Sequence, residues 1–486
     1  MSQLSIHPLW GSLALDRGGG LSLQDQIVQF FRSAILSGTL SKGRKVPSSR
    51  RIATEHGISR TTAVEAYARL AAEGYLTPRP GSGLFVCDAL PEAYLTRAAR
   101  PSPALPALAE AYVPAGNEPG LPSRDTAALA PWIPALDHFP WKDWARFTAQ
   151  INRERPIAAL CYGNPRGEQV FREVIAEYLA VARGVSCTAD QIIVTGSSKH
   201  GIEMALRAVG VAGDQVWMEE PGHHIDRDII KGAGLVAVPV GVDQGGIDVA
   251  EGLRLAPEAR LALVTPAHQF PFGYTLSLDR RLAMLDWAER TGAYLVENDH
   301  DGEYRYAGRP LPPLHTLDRS GRVIYIGSLS NILAPGLRIG YLVAPPDLVD
   351  AFLVMRASLT PIPMQLVLAR FIASGRLSSH LRRMRILYAQ RRLTLIAALK
   401  EEASDLFDIV VAPDAGTHLV VQLHRPIDDV AAAKRCLEKG IFVHPLSNCY
   451  ANTQNRRFGF MLGFASTPDE KIRPAVRTLA EVIRAS

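Results

Sequence analysis

The pattern of hydrophobic and polar positions divides the chain into a short N-terminal helical part and a longer α/β part. In residues 21–37 apolar side chains recur at a helical spacing, and shorter helices are predicted at 50–56 and 59–73. Two short strands, 74–77 and 83–86, follow them. Two short helices joined by a turn and followed by a hairpin predict a helix-turn-helix with a wing.

The rest of the chain predicts a mostly parallel sheet. Residues 91–134 are rich in Pro, Ala, Gly and Ser and lack periodicity, which predicts a linker with a short helix near 107–112. Beyond it, apolar strands alternate with helical stretches, as in sheets covered by helices on both faces. From residue 378 a long basic helix, mixed strands and a final helix at 469–484 predict a smaller α+β subdomain.

Composition narrows the class of protein. The 53 basic and 48 acidic residues leave an excess of five, and residues 24–80 alone hold nine basic against four acidic residues. The net positive charge therefore lies in the helical part, where it favours a phosphate-binding face. We see no signal peptide, no apolar run of about 18 residues and no Cys-x-x-Cys spacing among the five cysteines, so we expect a cytoplasmic protein that does not enter a membrane.

Ordered motifs in the helical part point to DNA. They are Val46-Pro-Ser-Ser-Arg50, Gly57-Ile-Ser-Arg-Thr-Thr62 and Arg79-Pro-Gly-Ser-Gly83. This part resembles the GntR-type winged helix over residues 21–86. The resemblance implies that DNA is faced by Arg50, Arg60, Thr61 and Thr62, with the wing tip of Gly81, Ser82 and Gly83 near the minor groove. Arginines and hydroxyls at a helix N-terminus suit phosphates and base edges; the alternative is that Arg50 and Arg51 are only solvated helix charges.

A second set of motifs lies in the α/β part. It includes Tyr162-Gly-Asn-Pro-x-Gly167, Thr265-Pro-x-His-Gln-Phe-Pro-x-Gly273, Glu297-Asn-Asp299 and the segment from Ser328 to Tyr341. These resemble the fold-type-I aminotransferases, which use pyridoxal phosphate (PLP). Together with the winged helix they resemble the MocR/GabR-type bacterial regulators over nearly the full length. The resemblance implies a PLP-binding transcription factor, typically a head-to-tail homodimer on a double-stranded DNA operator.

The resemblance also predicts the fold class and the domain limits. We expect an N-terminal winged helix-turn-helix in residues 1–88, a linker in 89–130, and a fold-type-I aminotransferase-like domain in 131–486. That domain would hold a mostly parallel sheet with helices on both faces, and 378–486 would form its small subdomain. It would bind the effector and hold the dimer together.

The residues that carry aminotransferase chemistry in the family are replaced in this chain. The lysine that holds PLP as a Schiff base falls on Asn331, whose amide nitrogen cannot form an imine. The aspartate that pairs with the pyridine nitrogen falls on Asn298, and the tyrosine that bonds the phenolic oxygen falls on His300. The stacking aromatic falls on His223, and the arginine that binds the substrate carboxylate falls on Met461. We therefore predict no catalytic residue and no covalent PLP.

The phosphate-binding positions are retained. Ser197 and Ser198 lie at a strand-to-helix turn, and Ser328 and Arg338 match two further anion contacts of the family. For Arg338 the alternative is a buried salt bridge, and Lys199 either strengthens this group or points to solvent. The predicted pocket contains Ser197, Ser198, His223, His268, Asn298, His300, Ser328, Asn331 and Arg338.

We expect no metal ion in this pocket. His223, His268 and His300 could converge with Asp299, but no two of these histidines have an i, i+4 or His-x-His spacing. The sequence therefore predicts a DNA-binding regulator that senses an anionic small molecule non-covalently, PLP itself remaining a possible ligand. Two alternatives stay open: a PLP-binding regulator with residual aminotransferase-type activity, and a ligand-free dimerisation scaffold for the DNA-binding domain.

Overall fold

The computed structural model describes residues 13–18, 20–88, 127–155, 157, 160–306, 312–355, 360–411 and 415–486. The chain forms two compact units, Met1–Ala111 and Tyr112–Ser486. The helix predicted near 107–112 and most of the predicted linker lie outside the described residues. No helix within these ranges is long and apolar enough to cross a membrane.

The N-terminal unit is a helix-turn-helix followed by a two-stranded wing. Its elements are α1 (Leu23–Leu36), α2 (Ser49–Glu55), α3 (Arg60–Ala72), β1 (Leu76–Arg79) and β2 (Gly83–Val86), with β1 and β2 antiparallel. A serine hydroxyl caps the start of each helix by accepting a backbone N–H. The buried side chains at the helical spacing, such as Ile27, Phe31 and Leu70, form one core. The sequence patterns therefore predicted the ends of every element of this unit to within two residues.

The large unit is built on an eight-stranded sheet with the order β3-β10-β9-β8-β7-β4-β5-β6. Its strands are β3 (Ile192–Thr195), β4 (Gln215–Glu220), β5 (Val236–Asp243), β6 (Gly246–Ile247), β7 (Leu261–Val264), β8 (Tyr294–Asn298), β9 (Val323–Ser328) and β10 (Gly340–Val343). From β5 through β4, β7 and β8 to β9 the strands are parallel, whereas β10 is antiparallel to both of its neighbours. The predicted mostly parallel sheet is confirmed.

Helices cover both faces of this sheet. They are α4 (Trp141–Glu154), α5 (Gln169–Ala182), α6 (Ser198–Val209), α7 (His224–Gly232), α8 (Val249–Leu255), α9 (Leu278–Thr291), α10 (Leu314–Leu317), α11 (Leu329–Ile332), α12 (Val349–Val354) and α13 (Ile362–Ala373). Adjacent residues of β4 show the two faces: Val216 packs in one core cluster, whereas Trp217 belongs to another and stacks on Trp287. Strands buried on both faces explain the continuous apolar runs in the sequence.

The C-terminal part adds a smaller antiparallel sheet with the order β11-β12-β14-β13. Its elements are α14 (Arg376–Glu402), β11 (Phe407–Val411), β12 (His418–Leu423), α15 (Asp429–Glu438), β13 (His444–Pro445), β14 (Gly459–Gly463) and α16 (Asp469–Arg484). The end of the predicted linker also packs here. Leu129 and Ala130 are buried, and the Leu129 carbonyl accepts from the Gly463 N–H at 2.7 Å. The folded unit thus includes residues that composition alone assigned to the linker.

Candidate functional site

A pocket of about 240 Å³ opens where strands of the large sheet end. Residues at or just beyond the carboxyl ends of β3, β4, β7, β8 and β9 line it, as expected for an α/β sheet. Eight of the nine predicted pocket residues line it: Ser197, Ser198, His223, Asn298, His300, Ser328, Asn331 and Arg338. The ninth, His268, does not.

The first end of the pocket is the N-terminus of α6. The hydroxyl of Ser197 caps this helix by accepting the His200 N–H at 3.1 Å. The backbone N–H groups of Ser198 and Lys199 come next, and residues at this position of a helix have no partner within the helix. A side chain on Gly340 would meet the Ser197 backbone at 2.8 Å, so glycine is needed where β10 passes this turn. The arrangement presents two amides and the positive end of a 12-residue helix to an anion.

Two cationic side chains flank that helix N-terminus. Arg338 follows a Pro335–Leu337 turn, adopts a left-handed backbone conformation with φ of 49°, and is exposed. It forms no ion pair with any described residue, so the alternative of a buried salt bridge is wrong. Lys199 also lines the pocket, where its ammonium group donates to Asp226 at 2.5 Å. Arg338 is therefore the guanidinium left available to a ligand.

Asn298 and Asp299 lie on opposite sides of the sheet, as expected for adjacent residues at a strand end. Asn298 is buried, lines the pocket, and its Oδ1 has no hydrogen-bond partner in the part of the chain that the structure describes. Asp299 points the other way, where its Oδ2 accepts from the Arg183 Nε–H at 2.8 Å and from the Tyr325 hydroxyl at 2.5 Å, and lies 2.6 Å from Arg183 Nη2 in an ion pair. The carboxylate is thus committed to a buried ion pair, and the pocket has only a neutral amide at this position.

The pocket histidines are neutral near pH 7. Burial lowers the pKa of His300 to about 3, and neither of its ring nitrogens has a partner. Burial, followed by the nearby Lys199, also holds the pKa of His223 well below its usual value. The His223 ring stacks on Phe270 with centroids 4.7 Å apart. Positive charge in the pocket therefore comes from Lys199 and Arg338, and the histidines offer hydrogen bonds and ring faces.

Asn331 lines the pocket close to Ser328. Its backbone N–H donates to the Ser328 hydroxyl at 3.3 Å, which fixes the short helix α11. Neighbouring Ser330 is tied to the backbone of Ile339 in both directions. Met461 lies apart from the pocket lining, fully buried in an apolar cluster with Phe270. Neither Asn331 nor Met461 supplies an amine or a cation.

Sequence reasoning missed one aromatic wall of the pocket. Trp132 lines the cavity beside His223 and Phe270, with centroid distances of 5.9 and 6.0 Å. Its buried Nε1 has no hydrogen-bond partner. The residue lies in a Pro- and Ala-rich stretch whose composition is typical of the end of a linker. The presence of a Trp in a segment otherwise poor in large side chains was the one sign in the sequence that this residue packs against the folded unit.

His268 and Asp299 do not join the other pocket histidines. The His268 ring centroid lies 6.3 Å from that of His300, but the residue is 1% exposed and sits behind the pocket wall. The predicted position of His268 in the pocket is wrong because the residue turns from the end of β7 toward the small sheet. The grouping of His223, His268 and His300 with Asp299 does not form.

The N-terminal unit separates its arginines into paired and unpaired groups. Arg51 donates to Glu55 at 2.7 Å, whereas Arg50 and Arg60 are exposed and have no ion pair among the described residues. Thr61 is exposed, and the Thr62 hydroxyl lies 2.9 Å from that of Ser59. The wing tip, Gly81, Ser82 and Gly83, is exposed. The predicted DNA-facing side chains are therefore on the surface, at the start of α2 and α3 and on the wing.

Comparison with known proteins identifies both units. Residues 23–86 match the family of bacterial regulatory proteins of the gntR type, and residues 135–479 match aminotransferase class I and II. A probable rhizopine catabolism regulatory protein, MocR, of Rhizobium meliloti is 34% identical over 96% of this chain and 95% of its own length. The chain belongs to the MocR-type family of transcriptional regulators.

Other relatives of this MocR-type regulator support the same family assignment. The pyridoxine biosynthesis transcriptional regulator PdxR of Corynebacterium glutamicum is 30% identical over 97% of this chain and 98% of its own. A solved kynurenine aminotransferase of Pyrococcus horikoshii superposes with a TM-score of 0.67 at 27% identity, covering 75% of this chain and 92% of that one. The protein is thus a DNA-binding transcriptional regulator with a helix-turn-helix unit and a fold-type-I aminotransferase-like unit.

PLP is the cofactor of the aminotransferase-like family, and the pocket of this MocR-type chain fits only part of the PLP molecule. The α6 N-terminus and Arg338 suit its phosphate. The Asn298 side chain can donate from its Nδ2 to an unprotonated ring nitrogen, but the amide carries no charge to hold a protonated one. Asn331 offers no amine for covalent attachment. The residues present therefore fit non-covalent binding of the phosphorylated ring and do not fit a Schiff base at position 331.

Proposed function

We propose that the aminotransferase-like unit binds an anionic small molecule non-covalently and that it does not catalyse amino transfer. The observation that carries this proposal is a contrast inside one pocket. Arg338 forms no ion pair with a described residue and lies in the same pocket as the α6 N-terminus, whereas the position that the resemblance assigns to the family's lysine holds an amide, Asn331. Binding groups are kept and the reactive group is absent.

The ligand's anionic group would sit at the α6 N-terminus. There the amides of Ser198 and Lys199 and the planar guanidinium of Arg338 supply donors suited to a phosphate or carboxylate. The remainder of the ligand would lie between Trp132, His223 and the unpartnered Asn298 Oδ1. Because burying an unpaired polar atom costs about 1–3 kcal/mol, a ligand that bonds Asn298 would gain by relieving this cost.

The regulator would bind DNA as a homodimer that contacts two half-sites of the operator. Arg50, Arg60, Thr61 and Thr62 would contact the double-stranded operator, with Gly81, Ser82 and Gly83 near the minor groove. Large exposed apolar side chains support self-association of the large unit: Trp141, Ile157, Leu160 and Tyr162 are all exposed. A head-to-tail arrangement of two large units is the geometry we propose for covering them.

One observation favours residual PLP chemistry instead. Lys199 places an amine in the pocket, and an amine can condense with an aldehyde. Its nitrogen, however, is already paired with Asp226 at 2.5 Å, and that contact would have to break before the amine could attack an aldehyde. The scaffold alternative has less support, since a pocket without a ligand would leave Asn298 and His300 buried and unsatisfied.

Three matched ligands test the proposal. PLP, pyridoxine 5′-phosphate without the aldehyde, and pyridoxal without the phosphate would each be titrated calorimetrically into the full-length protein. We expect the two phosphorylated compounds to bind with similar affinity, without a new absorption band, and pyridoxal to bind at least tenfold more weakly. Binding that needs the aldehyde, or a covalent adduct after borohydride reduction of the complex, would contradict non-covalent sensing.

A further inference from the structure

Three metal-ligating side chains meet behind the pocket, outside its lining. His268 follows β7, Asp301 follows β8, and His418 begins β12 of the small sheet. Their exposed fractions are 1%, 5% and 1%. One ligating atom from each lies within 4.8 Å of the other two. The group therefore draws on the loops of both sheets of the large unit.

The backbone carbonyl of Pro271 determines which ring nitrogen of His418 carries the hydrogen. Its Nε2 lies 3.0 Å from the carbonyl oxygen of Pro271. A carbonyl only accepts, so Nε2 carries the hydrogen and Nδ1 keeps a lone pair. This Nδ1 is buried without a partner. A histidine whose other nitrogen donates to a backbone carbonyl is oriented as metal-ligating histidines are.

Among the described residues, His268 has no hydrogen-bond partner at either ring nitrogen. Its ring lies against Gly416, where a side-chain carbon would come within 2.3 Å of Nε2. Glycine at position 416 thus makes room for the ring. Three imidazole nitrogens in this group are buried and unsatisfied, a situation rare in folded proteins.

Asp301 supplies the negative charge. One carboxylate oxygen accepts from the Thr417 hydroxyl at 3.0 Å, and no ion pair with an arginine or lysine is present in the described ranges. The residue is only 5% exposed. An ionised carboxylate in such a place is stabilised when a cation lies next to it.

We propose that His268, Asp301 and His418 form a binding site for one divalent transition-metal ion, with Zn²⁺ the best match. Two imidazole nitrogens and one carboxylate oxygen are a ligand set that Zn²⁺ accepts, leaving a fourth position for water. An ion centred in a triangle with sides of at most 4.8 Å would lie at most about 2.8 Å from each corner. Since Zn–N and Zn–O distances are about 2.0–2.2 Å, each side chain would close inward by at most about 0.7 Å.

The ion would tie the two sheets of the large unit together. Its ligands come from loops of the large sheet and from the first residue of β12, so binding would oppose their separation. His300, the residue before Asp301, lines the effector pocket. The metal would therefore stabilise the wall of the pocket without touching the ligand.

The test uses untagged full-length protein stripped with a chelator and then titrated with Co²⁺ and Zn²⁺. We expect one equivalent of ion per chain, visible Co²⁺ absorption typical of low coordination number that Zn²⁺ abolishes, and a rise in Tm of several degrees. Asp301→Asn and His418→Gln are expected to lose the bound equivalent and the Tm rise. His380→Gln is the matched control, because His380 is equally buried, has an unpartnered Nδ1 and lies outside the group.

Two results would overturn the site. The first is a wild-type protein that takes up no stoichiometric ion, a measurement that does not depend on any variant folding. The second is retention of the equivalent by folded Asp301→Asn and His418→Gln, or its loss in His380→Gln as well, either of which would place the ion elsewhere.

Discussion

The two sides of the large sheet at the end of β8 differ in how their polar groups are satisfied. On the pocket side, Asn298 has an unpartnered oxygen and His300 has two unpartnered nitrogens. On the other side, Asp299 Oδ2 is held by Arg183 and Tyr325, so the carboxylate is paired within the chain although its Oδ1 has no hydrogen-bond partner among the described residues. Neighbouring residues therefore face different constraints: the proposed ligand binding on one side of the sheet and folding on the other.

This difference would allow the proposed loss of aminotransferase chemistry without loss of the fold. A pocket residue with no partner in the chain can be replaced without breaking an internal bond. A buried charge such as Asp299 cannot, because its removal leaves Arg183 uncompensated. Four experiments test or sharpen this contrast.

The largest effect is expected for Asp299→Asn. Removing one partner of a buried ion pair costs about 3–5 kcal/mol, so the free energy of unfolding of the large unit should fall by that amount. Tryptophan fluorescence during urea unfolding measures it, since Trp217 and Trp287 stack in the core of that unit. The neighbouring Asn298→Ala is the control and should cause no comparable loss, because it removes an unpaired polar atom and leaves no charge uncompensated. Equal losses in both variants would remove the contrast.

A smaller effect is expected on ligand affinity from Arg338→Ala. Hydrogen bonds to charged groups are worth about 1.5–3 kcal/mol, so the Kd for pyridoxine 5′-phosphate should rise by about ten- to 150-fold. Arg207→Ala is the control, because Arg207 is exposed in the last turn of α6 and pairs with Glu203 at 3.0 Å. Undiminished binding by Arg338→Ala would show that the anion lies elsewhere.

The same logic of paired and unpaired charges applies to the DNA-binding unit. If Arg60 reads a base, Arg60→Ala should weaken operator binding by about 1–3 kcal/mol. Arg51→Ala, whose guanidinium already pairs with Glu55, should have the smaller effect. Gel-shift titrations at several salt concentrations measure both. Unchanged affinity together with unchanged salt dependence for Arg60→Ala would remove it from the interface.

The sequence predicted what depends on local order and missed what depends on distant packing. Helical spacing and serine caps located α1 to α3, and apolar runs located the parallel strands. The pocket followed from motifs at strand ends, which the sheet brings together regardless of their separation in sequence. His418 was missed because it reaches the His268 loop from a different sheet, and no spacing rule links the two.

Two other misses have physical causes. Trp132 stands in a stretch whose Pro and Ala content is that of a linker, although Leu129 and Ala130 beside it are buried. Arg338 was given a salt bridge as its alternative role, yet the left-handed turn exposes it. Composition reports neither which side chains a turn exposes nor which linker residues dock on a sheet.

The smallest effect is expected from restoring the family's lysine alone. Asn331→Lys should let PLP bind covalently, because the anion-binding end would still position its aldehyde, and the protein should absorb near about 420 nm. Asn331→Met is the control, since it adds no amine. With every amino donor tried, keto-acid formation should nevertheless stay at or below one equivalent per chain.

The reason lies in the groups that position 331 does not supply. Removing a proton from the amino acid needs an electron sink, which depends on a protonated pyridine nitrogen facing a carboxylate. Asn298 is neutral, and Asp299 is turned away toward Arg183. Met461 is buried in an apolar cluster and offers no cation for a substrate carboxylate. Sustained turnover by Asn331→Lys would therefore contradict loss of the chemistry at several positions, whereas turnover only after adding Asn298→Asp would assign the missing step to the ring nitrogen.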